Sequence, residues 1–261
     1  MDKFVQKQLT KIAKKEEKFL QPKEQKASFK QLTDKVEEKI PDGLQEKLEL
    51  AFYKGFQLVF EKGTVLIEKT YDKEDLYKEH QMHHYSFTEL NRKKSYKKLK
   101  KQSGLRNLLN LGITTVEGTG LGIMGIGLPD IPIFIGVLLK GIYETALSYG
   151  VDYEQLEEQY FILLLIAAAL ADDEMKFARN QQVDEAILAL HQGKKWSAEE
   201  VEEQMKQTAQ VLATDMLCLK FIQGLPVVGV IGGAANVIYD KKILNYAELK
   251  YQKRYLLKLL N

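Results

Sequence analysis

LGIMGIGLPDIPIFIGVLL, residues 121–139, is long and apolar enough for a membrane-spanning helix, yet Pro129, Asp130 and Pro132 stand at its centre. A straight helix is not built this way. Asp130 suits an N-cap, its carboxylate accepting from the free N–H groups of a following first turn. Pro132 suits that turn, where its missing N–H costs nothing. Gly127, Leu128 and Pro129 then form the bend of a hairpin between two apolar elements. Residues 221–238, FIQGLPVVGVIGGAANVI, repeat the pattern: Gly224 and Pro226 again bracket a leucine, and Gly229 and Gly233 are four apart, a spacing that lets helix backbones touch. The second hairpin is expected to pair with the first.

Outward from these segments the chain reads as all-α, a multi-helix bundle with two glycine-rich apolar helical hairpins. None of the five prolines lies between Pro41 and Pro129 or between Pro132 and Pro226, and those stretches are rich in Lys, Glu, Gln, Leu and Ala, which cost least in a helix. Helices are expected at about 2–20, 29–39, 42–69, 73–101, 105–117, 131–148, 153–177, 180–191, 198–222 and 227–258. Ser28 with Gln31, Asp152 with Gln155 and Ser197 with Glu200 have the spacing of capping boxes. Gly150 and Gly193 follow apolar runs, as residues that close a helix in the left-handed conformation do. In 42–69, Leu44, Leu48, Ala51, Phe52, Phe56 and Val59 recur every three or four positions with Gly55 and Gly63 beside them, a face made for close helix contact.

Residues 161–171, FILLLIAAALA, are too short to cross a bilayer and fit a core helix. The C-terminal part therefore has two readings. Either it is a soluble helical domain with a small-residue core, or its hairpins dip into one membrane leaflet, where non-helical backbone must be sheltered by protein.

A formal net charge of +2 hides an asymmetry: residues 1–102 hold 24 basic against 17 acidic side chains, the remainder 14 against 19. The basic excess is concentrated twice. Arg92, Lys93, Lys94, Lys97, Lys98, Lys100 and Lys101 form a run of the kind drawn to anionic lipid headgroups, each charge contributing about 1 kcal/mol near such a surface. The N-terminal helix sets Phe4, Val5, Leu9, Ile12 and Phe19 against Lys3, Lys7, Lys11, Lys14, Lys15 and Lys18, the layout of an interfacial helix. Nucleic acid is not expected as a partner, because no recognised binding motif accompanies the charges and the other part of the chain is acidic. The single cysteine, Cys218, fits a small apolar core residue, and the start of the chain has no apolar signal-peptide core; both suit a protein kept inside the cell.

Chemistry is sparse. His80, His83 and His84 put imidazoles three and four residues apart, a spacing that could ligate zinc if Glu79, His191 or the Asp172–Asp173–Glu174 cluster supplied a third ligand. Gly120, Gly122 and Gly125 match a dinucleotide fingerprint, but a helix rather than a strand precedes them and a proline follows, so the match is rejected. No nucleophile stands beside a base, and no cofactor is expected.

Gly127-Leu-Pro-Asp-Ile-Pro132, Tyr149-Gly150 and Val228-Gly-Val-Ile-Gly-Gly-Ala-Ala-Asn236 resemble the EcsC family of bacterial proteins over roughly residues 40–255. The resemblance divides the chain into a basic amphipathic N-terminal segment, 1–40, and an EcsC-like helical domain, 41–261, basic over 41–102 and glycine-rich over 103–261. The family's namesake is encoded beside the ATPase and membrane subunits of an ABC-type exporter. The resemblance thus implies a cytoplasmic or membrane-associated protein linked to ABC-type transporter subunits or membrane-protein processing, and its structural motifs carry no catalytic residues over. The leading expectation is a non-enzymatic accessory or regulatory protein, peripheral to or partly inserted in the inner face of the cytoplasmic membrane. A metal-assisted hydrolase using the histidines and a soluble protein-binding adaptor are the alternatives.

Overall fold

The computed structural model describes residues 2–21, 43–90, 92–113, 131–222 and 233–260. Among them there are helices and turns and no strand, so the protein is an all-α multi-helix bundle. The order is α1 (Asp2–Leu20), α2 (Leu44–Leu58), a π-helical turn (Val59–Gly63), α3 (Thr64–Glu68), α4 (Lys73–Tyr85), a second π-helical turn (Ser86–Leu90), α5 (Arg92–Ile113), α6 (Ile131–Ser148), α7 (Leu156–Leu170), α8 (Lys176–His191), α9 (Ala198–Ile222) and α10 (Gly233–Lys258). Gly127, Leu128, Pro129, Asp130, Gly224, Pro226 and Gly229, like the helix expected at 29–39, lie outside the described residues, whereas Pro132 occupies the first turn of α6 and Gly233 begins α10.

Two helices form the centre because they are the most apolar, α7 on every side over 161–170 and α6 over most of its surface. Every residue of α7 from Phe161 to Leu170 is buried, enclosed by α8, α9 and α10. Helix α6 is enclosed by α2, α4, α5 and α10. By length and composition α6 is the one helix among the described residues that could cross a membrane, but 72% of it is buried inside the protein. The small face expected on 42–69 is used here: a Cβ at Gly55 would come within 2.5 Å of Ile135 of α6. Gly141 of α6 similarly admits Leu244 of α10.

The helix ends follow local chemistry. Gly150 and Gly193 have φ of +73° and +77°, and the N–H groups of Val151 and Lys194 bond back to Ala146 and Ala189. Ser197 and Glu200 form the reciprocal capping box. The Asp152–Gln155 box does not form: α7 starts only at Leu156, and Asp152 instead accepts from the N–H of Glu154. The helix expected over 153–177 is broken at Ala171 because the Asp172 carboxylate captures the N–H of Met175 and starts α8. The helix expected over 73–101 gives way to the π-helical turn at Ser86–Leu90 instead of ending at 102–104, and α5 continues through Gly104.

Packing along α10 fixes the directions. Leu244 meets Gly141 and Tyr255 meets Tyr149, so α6 runs parallel to α10. Gln252 meets Tyr96 and Glu248 faces Lys100, so α5 runs antiparallel. Arg254 meets Glu158 and Tyr251 meets Phe161, so α7 is antiparallel too, and α9 follows α7 through the Trp196–Tyr160 stack and the Thr208–Leu163 bond. The C-terminal ends of α5 and α9 and the N-terminal ends of α6 and α10 therefore point to one end of the bundle.

Candidate functional site

The two basic runs, about eighty residues apart in sequence, meet in space. Phe4 of α1 lies edge-on to Tyr96 of α5 with ring centroids 6.0 Å apart, and Lys15 of α1 approaches Lys100 of α5. Around these contacts Lys7, Lys11, Lys14, Lys93, Lys94, Lys97, Lys98 and Lys101 are exposed, while Arg92 and Lys100 are half-buried. The structure changes the reading of α1 as a free interfacial helix. Its apolar side is already spent on the bundle: Val5 and Ile12 are buried and the Phe19 ring lies tilted against Tyr246 of α10, centroids 4.6 Å apart. Only its lysine face is left to meet a partner.

What holds α1 down is an ion cluster on the inner side of the same helix. Lys250 of α10 is fully buried, its Nζ 2.5 Å from Glu16 Oε1 and 2.6 Å from Asp184 Oδ1 of α8. Lys253 closes the square, at 2.9 Å from Glu16 Oε2 and 2.9 Å from Asp184 Oδ2. Two ammoniums and two carboxylates neutralise one another, which is the condition for burying charge without a large penalty.

Beside this cluster α1, α5 and α10 enclose a cleft of about 530 Å³. Lys15 and Lys18 line it from α1, Lys100 from α5, and Lys242 and Glu248 from α10, over a floor that includes Phe19, Tyr246 and Leu249. Among the described residues none of Lys15, Lys18 and Lys100 forms an ion pair. Burial, reinforced by the adjacent Lys15 ammonium, holds Lys100 below the usual lysine range despite the attraction of Glu248. Burial in turn pushes the Glu248 carboxyl up, against the pull of Lys100 and Lys15, and this carboxylate accepts from Gln252 Nε2 at 2.9 Å. The cleft is thus a concave patch with four cations against one acid. Lys242 and Glu248 escape sequence reading because nothing in their own neighbourhood announces a site; only the docking of α10 between α1 and α5 brings them there.

The histidines are arranged differently from a metal centre. His80 and His84 share a face of α4, their rings 5.8 Å apart, whereas His83 is buried. His80 donates from Nδ1 to the Ser148 carbonyl at 3.0 Å, and His84 Nδ1 pairs with the Tyr255 hydroxyl at 3.0 Å. The Tyr255 ring stands edge-on to both imidazoles. Among the described residues no three His, Cys, Asp or Glu side chains converge as metal ligands would, and the expected third ligand does not arrive: His191 lines a separate cleft, and Asp172 and Asp173 cap and pair within α8. The pair serves to lock α4 onto the ends of α6 and α10.

Comparison with curated proteins and with solved structures finds no match. The model of the EcsC protein family, by contrast, matches residues 6–256, which takes in α1 as well as the bundle. With nearly all of its helices inside that match, the chain belongs to the EcsC protein family.

Proposed function

We propose that this protein is a non-enzymatic accessory or regulatory protein that docks on the inner face of the cytoplasmic membrane through the basic face formed by α1 and α5. The observation that carries the reading is the convergence of two sequence-distant basic runs on one surface, with their apolar partners turned inward. Such a surface attracts anionic lipid electrostatically and weakens as salt screens it. The direction of the helices adds support. The glycine-rich segments 121–139 and 221–238 include the N-terminal ends of α6 and α10, which point to the same end of the bundle, so two hairpins there would act on one patch of membrane or one membrane protein. Family membership supplies the protein partner in this reading: the namesake's genetic neighbourhood points to ABC-type transporter subunits.

The test is flotation of purified protein with neutral and with anionic vesicles at low and high salt, followed by carbonate extraction of the floated fraction. Binding that requires anionic lipid and fades with salt is expected, and carbonate resistance would add insertion of the glycine-rich segments. A protein that stays at the bottom of every gradient overturns the reading, and retention of a transporter subunit from detergent extracts would then favour a soluble adaptor.

A further inference from the structure

We propose that the cleft between α1, α5 and α10 is a binding site for a phosphate ester, the phosphate held by Lys15, Lys18 and Lys100 and the small organic part resting on Phe19 and Tyr246. This deepens the membrane reading, on which it rests only for the source of the ligand. Three observations lead there. The first is that among the described residues these lysines of α1 and α5 form no ion pair, although Lys250 and Lys253 of the adjoining α10 are fully paired. The second is shape: the volume of about 530 Å³ is that of a small-molecule site and exceeds what an isolated surface lysine needs. The third is the combination of lining chemistries. Lysine binds phosphate as a point charge with several rotatable donors, so three ammoniums from two helices can each serve a different phosphate oxygen. A phosphomonoester carries close to two negative charges at neutral pH, which matches Lys15, Lys18 and Lys100 set against Glu248 better than a carboxylate or a phosphodiester with a single charge does. The tilted Phe19–Tyr246 ring pair gives the carbon portion of the ligand an apolar floor.

The same phosphate chemistry is offered by the headgroup of phosphatidate and by a soluble phosphate ester, and two arms separate them. In solution, sn-glycerol 3-phosphate is titrated calorimetrically into the full chain at constant ionic strength, with glycerol and chloride as controls. Saturable one-site binding is expected, weakened about tenfold or more in Lys15→Gln and Lys100→Gln, as expected for loss of a charged hydrogen bond, and unchanged in Lys206→Gln on α9. On membranes, vesicles containing phosphatidate are compared with phosphatidylglycerol vesicles of equal surface charge. A preference for phosphatidate is expected, and Lys100→Gln should abolish the preference while keeping the charge-driven binding seen in Lys97→Gln. Thermal melting confirms that each variant is folded. No saturable binding of glycerol 3-phosphate, together with equal losses for Lys100→Gln and Lys97→Gln on both lipids, would overturn the site and leave the membrane reading standing. Saturable binding in solution with no vesicle binding would uphold the site and overturn the membrane reading.

Discussion

Two groups of lysines lie side by side where α1, α5 and α10 meet and have opposite fates. Lys250 and Lys253 face inward and are matched, charge for charge, by Glu16 and Asp184. Lys15, Lys18 and Lys100 face the neighbouring cleft without an ion pair among the described residues, two of them close enough to repel. Glu16 and Lys15 are consecutive residues, so the chain places a paired and an unpaired charge one position apart on the same helix. Proximity of acidic side chains is therefore not what the cleft lacks. The paired group is a fastener whose energy comes from within the fold, and the unpaired group is a surface whose energy can come only from something outside it.

The largest expected effect separates these roles at once. Lys250→Ala should destabilise the protein by about 3–5 kcal/mol, because it leaves the buried Glu16 and the half-buried Asp184 with one cation between them. Chemical denaturation measures it, and once folded the variant should retain its affinity for anionic vesicles. A loss of vesicle binding at full stability would break the division between fastener and surface. A yardstick without charge is Gly150→Ala. There φ is +73° and a Cβ would come within 2.2 Å of His80, so left-handed strain and overpacking together should cost about 2–4 kcal/mol in the same assay. If Lys250→Ala cost less than this, the ion square would be a minor fastener.

The cleft lysines should behave in the reverse manner. Lys100→Gln is expected to leave the melting temperature unchanged or slightly raised, since it removes an ammonium that burial and Lys15 both disfavour. On vesicles each such substitution should lower affinity about fivefold at low salt, the equivalent of about 1 kcal/mol per charge, and the difference from wild type should shrink as salt rises. A fall in stability with no change in vesicle affinity would make Lys100 a structural residue.

Much of this architecture is legible in the residues. Gly150, Gly193 and the Ser197–Glu200 box mark their helix boundaries because each is a local device, complete within six residues. The apolar run at 161–170 marks the core because a helix apolar on every side has nowhere else to go. The boundary at Ala171 is not legible, since Asp172 reads equally as an exposed acid until its carboxylate is seen to hold the Met175 N–H. The site is legible only in pieces. The basic runs are evident, but the sequence assigns the apolar stripe of α1 to a membrane, and only tertiary packing shows it buried by Tyr246 and the core. Glu16 illustrates why: in a lysine-rich helix it reads as one more surface charge, and its partner Lys250 is 234 residues away. Likewise the histidine spacing suggests ligands, while the bonds from His80 to Ser148 and from His84 to Tyr255 depend on where α4 docks.

His80 extends the contrast to a third way of handling charge, in which the group is neither paired nor offered outward but kept neutral. Burial holds its imidazole below the usual histidine range. The Ser148 carbonyl opposes the shift, and His84, Lys258 and His83 add to it. The sign follows from proton counting. Because the unfolded chain protonates His80 near its ordinary value of about 6.5 while the folded chain resists, the unfolded state binds more protons in that interval. Stability contributed by neutral His80 is thus complete above that value and is lost as the pH falls from it toward the depressed folded value, at no more than about 1.4 kcal/mol per pH unit. His80→Asn preserves a donor near the Nδ1 position for Ser148 but cannot titrate. It should flatten the pH dependence of unfolding below about pH 6.5, with a smaller effect on stability at neutral pH. An unchanged slope in this variant would show that His80 titrates alike in both states, and that the acid sensitivity of the fold comes instead from His191, whose imidazole burial and Arg254 also hold low.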